Sequence, residues 1–244
     1  MDRMLYIGMA GAREVANAQG VVSNNLANAN TAGFRADLHQ LQSQSVYGPG
    51  FPSRAYAGAE SPGADLSPAA PIPTGRDLDV AIQGQGWIAV QAPDGNEAYT
   101  RAGDMQVSAG GILTNGAGHP VLGNAGPVAL PPADKVEIGQ DGTISIKLLG
   151  QDNMAVLDRI KLTRPPDEQM HKGDDGLFRL ADGEEADADH TVTLVSGALE
   201  SSNVNGVESL VQMMKLARLF ELQVKVMKEA ERTDEAASML VRPA

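Results

Sequence analysis

The sequence contains no cysteine, which removes disulfides, thiolate zinc sites and cysteine nucleophiles from consideration. That absence fits a reducing or an oxidising compartment equally, and it suits a protein that ends up outside the cytoplasm without oxidative folding. Aromatic residues are scarce, at 4% with a single tryptophan, whereas Ala, Gly, Asn and Ser are abundant. Such a balance suits extended or repeated packing surfaces better than a thick core. Cations are in deficit as well: 19 Lys and Arg against 31 Asp and Glu leave a formal charge of −12. Phosphate backbones are bound by clustered Lys and Arg, so no nucleic acid partner is expected, and the acidity favours solubility before any assembly. Long apolar runs are missing too. No segment approaches the roughly 18 apolar residues of a membrane span, so no membrane insertion is expected. Met4 to Ala18 is interrupted by Gly8, Gly11, Arg13, Glu14 and Asn17, unlike the apolar heart of a secretory signal. Any route out of the cytoplasm is therefore expected to leave the N-terminus uncleaved.

What is present has a plain order. Apolar residues make up 42% of 244 positions, enough for one large domain or two modest ones. Near the start Leu5, Met9, Ala12, Ala16, Val22 and Leu26 recur at helical steps. Near the end Leu210, Met213, Met214, Ala217, Phe220, Val224 and Met227 do the same, flanked by Lys215, Arg218, Glu221, Lys225, Lys228 and Glu229. Glu221 and Lys225 form an i,i+4 pair of the favourable orientation. Ala237, Leu240 and Val241 could extend this second stripe. Between the ends the period shortens to two: Leu78, Val80 and Ile82 alternate with Asp77, Asp79 and Ala81, Trp87 to Val90 reads as a buried strand, and Ile144, Ile146 and Leu148 alternate again. Val156, Ile160 and Leu162, and Val192 with Leu194, add further strands. Turns are marked by Pro93-Asp94-Gly95, Gly110-Gly111, Asp141-Gly142 and Asp175-Gly176. About eight to ten short strands are expected. From about Ser43 to Thr74 neither period holds; Pro49, Pro52, Pro62, Pro68, Pro71 and Pro73, with Gly48, Gly50, Gly58 and Gly63, predict an irregular linker or an arm ordered by neighbours.

The fold class is therefore α+β: two long terminal helices, coiled-coil-like and dependent on assembly, flank a central, mainly β domain. The expected parts are 1–35 and 205–244 (helical), 36–75 (arm) and 76–204 (β domain). A lone helix carrying Gly8, Gly11 and Gly20 is marginal in water, so the two ends should pair once the middle brings them together, and several chains should pool them. In an isolated subunit the ends would be frayed. Alternatively, both helices fold back on the β domain and complete one core.

More specific strings decide between these. Ser23-Asn24-Asn25-Leu26-Ala27-Asn28-Ala29-Asn30-Thr31-Ala32-Gly33-Phe34-Arg35 closely resembles the signature of flagellar rod and hook proteins, with Arg where Lys is commoner. The Asn side chains can bond backbone groups where the helix ends, Gly33 permits a left-handed turn, and Phe34 anchors the exit together with Leu26. Asp77 to Trp87 is similar to the family's central strand motif; Tyr99-Thr100-Arg101-Ala102-Gly103-Asp104, continuing through Gly111, Leu113 and Asn115 to Gly118, to its next block, with Met105 where Phe is usual; and Ala198 to Asn205 to the lead into its C-terminal helix. The start Met1-Asp2-Arg3-Met4-Leu5-Tyr6 and the modest middle look most like the family's proximal-rod branch, with the distal rod as alternative. The resemblance implies a structural subunit of the bacterial flagellum, partnered by proximal and distal rod subunits. It also implies passage through the flagellar type III export apparatus and assembly in the periplasmic part of the basal body as a torque-carrying drive shaft around an export channel. Assembly and packing would rest on Leu5, Met9, Val22, Asn24, Asn25, Leu26, Asn28, Gly33, Phe34, Leu210, Met213, Met214, Ala217, Phe220, Val224 and Met227.

Chemistry is harder to find. Gly84-Gln85-Gly86 lacks the third glycine and helix of a dinucleotide loop. His39, His119, His171 and His190 are isolated from one another, none at metal-site spacing. Asp182, Glu184, Glu185, Asp187 and Asp189 lack the order of an EF-hand and read as a solvated loop. No Gly-x-Ser-x-Gly elbow occurs. No catalytic residue, cofactor or metal is expected. Two rivals stand outside this reading: a secreted β-domain enzyme acting on cell-wall polysaccharide, which would need paired carboxylates in a cleft, and a soluble adaptor binding one partner through its C-terminal helix.

Overall fold

Both ends of the chain are helical, as the 3.6-residue period predicts: α1 spans Asp2–Ala27 and α2 spans Gly206–Val241. The computed structural model describes residues 2–45, 55–60, 63–148, 150 and 153–241. Its backbone divides into two units, one holding Met1–Ala29, Asp37–Gly63 and Val204–Ala244, the other Asn30–Ala36 and Ala64–Asn203.

In the helical unit α1 packs along α2. The start of α2 is capped by Asn205, whose Oδ1 accepts the N–H groups of Val207 at 3.1 Å and Glu208 at 3.2 Å, and Glu208 places a negative charge in the first turn. At the end of α1 the Asn28 side chain donates to the Asn24 carbonyl at 3.0 Å. Asn25 donates to the Asp37 carbonyl and accepts from the Asp37 N–H, both at 2.9 Å. The unit also contains an antiparallel pair, β1 (Gln40–Ser45) and β2 (Ala55–Glu60), in register from Gln40↔Glu60 to Ser45↔Ala55, with β2 against α1.

The expected irregular arm is thus partly regular. QLQSQS and AYAGAE carry almost no apolar alternation, so a period-two reading passes over them. Pro49, Pro52, Pro62, Gly48 and Gly50, which argued for irregularity, lie outside the described residues.

The strand-rich unit runs β3 (Pro71–Pro73), β4 (Val80–Gln83), β5 (Trp87–Gln91), β6 (Glu97–Thr100), β7 (Met105–Val107), β8 (Leu113–Asn115), β9 (Leu122–Gly123), β10 (Gly126–Pro127), β11 (Ala133–Ile138), β12 (Thr143–Leu148), β13 (Met154–Arg159), β14 (Leu162–Thr163), β15 (Met170–Lys172), β16 (Phe178–Leu180), β17 (Thr193–Ser196) and β18 (Ala198–Glu200). That is more strands among the described residues than expected, because pieces of two to four residues are too short to show a period. Five form one sheet in the order β14-β5-β6-β16-β15, three form β11-β12-β13, and β3–β18, β4–β17, β7–β8 and β9–β10 pair separately. Pro71 and Pro73 are tolerated in β3 because it pairs on one side only, with β18.

Strand β5 joins two cores. Alternate side chains of a strand point to opposite faces. Ile88 and Val90 therefore enter a cluster with Val80, Met105, Leu113 and Ile144, while Trp87 and Ala89 enter another with Tyr99, Met170 and Phe178. Trp87 and Phe178 stack with ring centroids 4.5 Å apart. The alternation read at Asp77 to Ile82 does not hold in burial, since Asp79 and Ala81 are as buried as Val80. The Asp79 carboxylate is accommodated by the Thr74 hydroxyl at 2.6 Å.

Candidate assembly surface

The buried face of α1 is lined by small residues. Gly8, Gly11, Ala12, Val15, Ala18 and Val22 are buried, and a Cβ on Gly8 would sit 2.9 Å from Met227 Cγ, one on Gly11 3.0 Å from Gln223. Glycine costs about 1 kcal/mol inside a helix, and here it lets α2 approach closely. Glu14 is buried on this face too, taking hydrogen bonds from Arg13 at 3.0 Å and Asn17 at 3.2 Å. The Arg13 bond, then the Asn17 bond, hold its carboxyl below the ordinary range.

This face differs from the expected stripe. Ala12 and Val22 are buried as read, but Leu5, Met9 and Ala16 are exposed, with Met9 at 54%. The largest side chains of α1 point away because bulky residues at the seam would hold the helices apart. On α2, Met213, Val224 and Met227 are half-buried, whereas Leu210, Met214, Ala217 and Phe220 are exposed. Val207, Met214 and Leu222 stand out at 74%, 58% and 56% exposure. The helix pair therefore presents an apolar face that the helical unit itself does not cover. Asn25 is buried, Leu26 and Asn28 are half-buried, and Asn24 is exposed.

The rest of the N-terminal signature belongs to the strand-rich unit. Gly33 has φ +67°, its N–H donates to the Glu200 carbonyl at 2.8 Å, and a Cβ there would lie 2.2 Å from the carbonyl carbon of Arg101. Phe34 is half-buried, with the Lys172 ammonium 4.1 Å from its ring centroid; Lys172 also donates to the Arg35 carbonyl at 2.8 Å. Arg35 is 1% exposed and donates through Nη2 to Glu200 Oε1 at 2.5 Å. Arg101 reaches the other oxygen of Glu200 at 3.0 Å, and the Ala69 N–H adds a bond of 2.8 Å to Oε1. Asn203 completes the cluster by accepting the Ala36 N–H and donating to the Asp65 carbonyl, both at 2.8 Å.

Segments far apart in sequence thus meet around one buried carboxylate. Site reading from sequence selected Gly33 and Phe34 but passed over Arg35, Arg101, Glu200 and Asn203. The only signal for these four was that each lies in a family-like string. Elsewhere, burial pushes the Tyr99 hydroxyl above its ordinary range while it accepts the Ala186 N–H at 2.6 Å. Among the described residues no three metal-ligating side chains cluster, and no helix is long and apolar enough to cross a membrane.

Three family descriptions match along the chain: flagella basal body rod protein over residues 5–35, flagellar hook protein FlgE/F/G D1 domain over 81–146, and flagellar basal body rod FlgEFG protein C-terminal over 195–240. The chain is 42% identical to the flagellar basal-body rod protein FlgF of Escherichia coli (strain K12) and 41% identical to that of Salmonella typhimurium, each alignment covering 99% of both chains. It is 31% identical to the flagellar basal-body rod protein FlgG of Bacillus subtilis, over 93% of this chain and 94% of that one.

Proposed function

Since the chain belongs to the flagellar basal-body rod family and is a structural subunit of the rod, we propose that it builds the proximal rod by packing α1 and α2 against neighbouring rod subunits. The observation that carries this is the outward face of α2, where Val207, Leu210, Met214 and Leu222 are each at least half exposed. Burying a Leu or Met side chain contributes roughly 1.5–3 kcal/mol. A row of them on a 36-residue helix supplies repeated interfaces, and repetition along a lattice makes a stiff shaft. The higher identity to FlgF than to FlgG, 42% against 31%, supports a FlgF-like subunit. In this reading the subunit leaves the cytoplasm through the flagellar export apparatus, assembles in the periplasm, transmits torque, leaves an axial channel open and catalyses nothing. Leu5 and Met9 extend the apolar face on α1. Met213, Val224 and Met227 serve the seam within the subunit, and Asn25, Leu26, Gly33 and Phe34 fix the path of the chain beyond α1.

Met214→Asp tests the proposal. Met214 is 58% exposed, so the purified subunit should change stability by less than about 0.5 kcal/mol. The same charge inside an intersubunit contact should abolish incorporation into basal bodies and stop swimming. Normal motility in that strain, with the variant recovered in purified basal bodies, would refute the assignment of this face.

A further inference from the structure

The buried cluster of the strand-rich unit is short of negative charge. Arg35 and Arg101 share the carboxylate of Glu200, and among the described residues Arg35 Nε, Arg35 Nη1 and Arg101 Nε are buried without a hydrogen-bond partner. Burial lowers the Arg101 guanidinium from its ordinary range, with Arg35 adding to that shift and Glu200 and, to a lesser degree, Asp167 opposing it. Arg101 also donates to the Gly84 carbonyl at 2.9 Å and lies 5.3 Å from the Trp87 ring centroid.

Beside it opens a cavity of about 280 Å³ whose wall includes Gln85, Trp87, Arg101, Arg164 and Asp167. Arg164 is exposed and donates to Gln85 Oε1. Among the described residues Asp167 is the one carboxylate on the wall. Nearby, the Asp189 carboxyl is held below the ordinary range first by the Thr191 hydroxyl and N–H, which both bond its Oδ1 at 2.7 and 2.8 Å, and to a lesser degree by the charge of Arg164. On a chain of net charge −12, this pairing of a buried arginine with a second, exposed one beside an indole is a local positive site. Guanidinium forks match planar carboxylates in two-point contacts, and removing a charge imbalance from a buried cluster is favourable.

We propose that this cavity is a carboxylate-binding site, with Arg164 leaving Gln85 to grip the ligand while Arg101 supplies the field behind it. The carboxylate comes either from an acidic side chain of a neighbouring subunit or from a small free carboxylate, and the two sources are separable.

Trp87 is the single tryptophan of the chain, so its emission reports on this cavity. The full-length subunit is titrated at constant ionic strength with the blocked tripeptide acetyl-Gly-Glu-Gly-amide, its Gln counterpart, sodium acetate and sodium chloride. The Glu peptide should give a saturable change that the Gln peptide and chloride do not, weakened about tenfold in Arg164→Gln. Arg164→Lys, which keeps the charge but loses the fork, should fall between and serves as the second variant should the first prove unstable. Binding of the Glu peptide well above acetate assigns the source to an acidic segment; equal binding assigns it to free carboxylates. An unchanged Trp87 signal, a response that the Gln peptide or chloride reproduces, or full affinity in both Arg164 variants overturns the site.

Discussion

Glu200→Gln is expected to be among the most damaging single changes in this chain, lowering the unfolding free energy by about 3–5 kcal/mol. The carboxylate is the common acceptor of Arg35 at 2.5 Å, Arg101 at 3.0 Å and the Ala69 N–H at 2.8 Å, and both arginine side chains are at most 2% exposed. Gln keeps the size and one acceptor oxygen but deletes the charge that both buried cations contact directly. The penalty is the desolvation of those cations, which far exceeds the worth of any one hydrogen bond. Urea unfolding followed by Trp87 emission reads the loss locally, since that ring lies 5.3 Å from Arg101. A loss below about 1 kcal/mol would mean that water or another group already compensates the arginines. For comparison, Lys135 and Glu137 pair at 2.6 Å on the surface, both about half exposed, and removing that pair should change stability by well under 1 kcal/mol.

Gly33→Ala should cost about 3 kcal/mol or more, through two separable causes. The backbone at φ +67° is unfavourable for alanine by about 1–2 kcal/mol. In addition, the new Cβ would lie 2.2 Å from the carbonyl carbon of Arg101 and 2.4 Å from the Ala102 nitrogen, and backbone atoms cannot swing aside as a side-chain tip can. Relief requires moving residues 30–36 away, which stretches the Gly33 bond to the Glu200 carbonyl and the Arg35 ion pair together. Gly118→Ala is the matched control. That residue has φ +89°, and an alanine Cβ there would meet no heavy atom within 4 Å, so it should show the conformational cost alone. Equal losses at the two positions would show that the close approach at Gly33 carries no weight.

Much of this architecture is legible in the chain. The periods of the two termini, the buried run at Trp87 to Val90 and the alternation at Ile144 and Ile146 all correspond to elements in place. The face of α1 was less legible. Periodicity weights large apolar side chains, so Leu5 and Met9 drew the seam toward themselves, whereas the packed face runs through Gly8, Gly11, Val15 and Ala18. The strands β1 and β2 were hidden for a related reason, since a polar, Ala- and Gly-rich hairpin satisfies its backbone without showing an apolar pattern.

Composition and local spacing by themselves determined that the chain is α+β and that it has helical ends with more apolar surface than one pair can bury, and the likeness of four short strings to those of flagellar rod proteins added the family. These are local properties: each depends on residues a few positions apart, and the periods of 3.6 and 2 translate them directly into structure. Only the tertiary structure decided which side of α1 is the seam and what Arg35 is for. Its partner lies 165 positions away, and Arg101 is 99 from the same carboxylate. In sequence such charges read as surface residues, because arginine and glutamate are almost never fully buried unless paired. The pairing exists only once β18 and residues 30–36 lie side by side, where a shared buried carboxylate makes their charges part of the core.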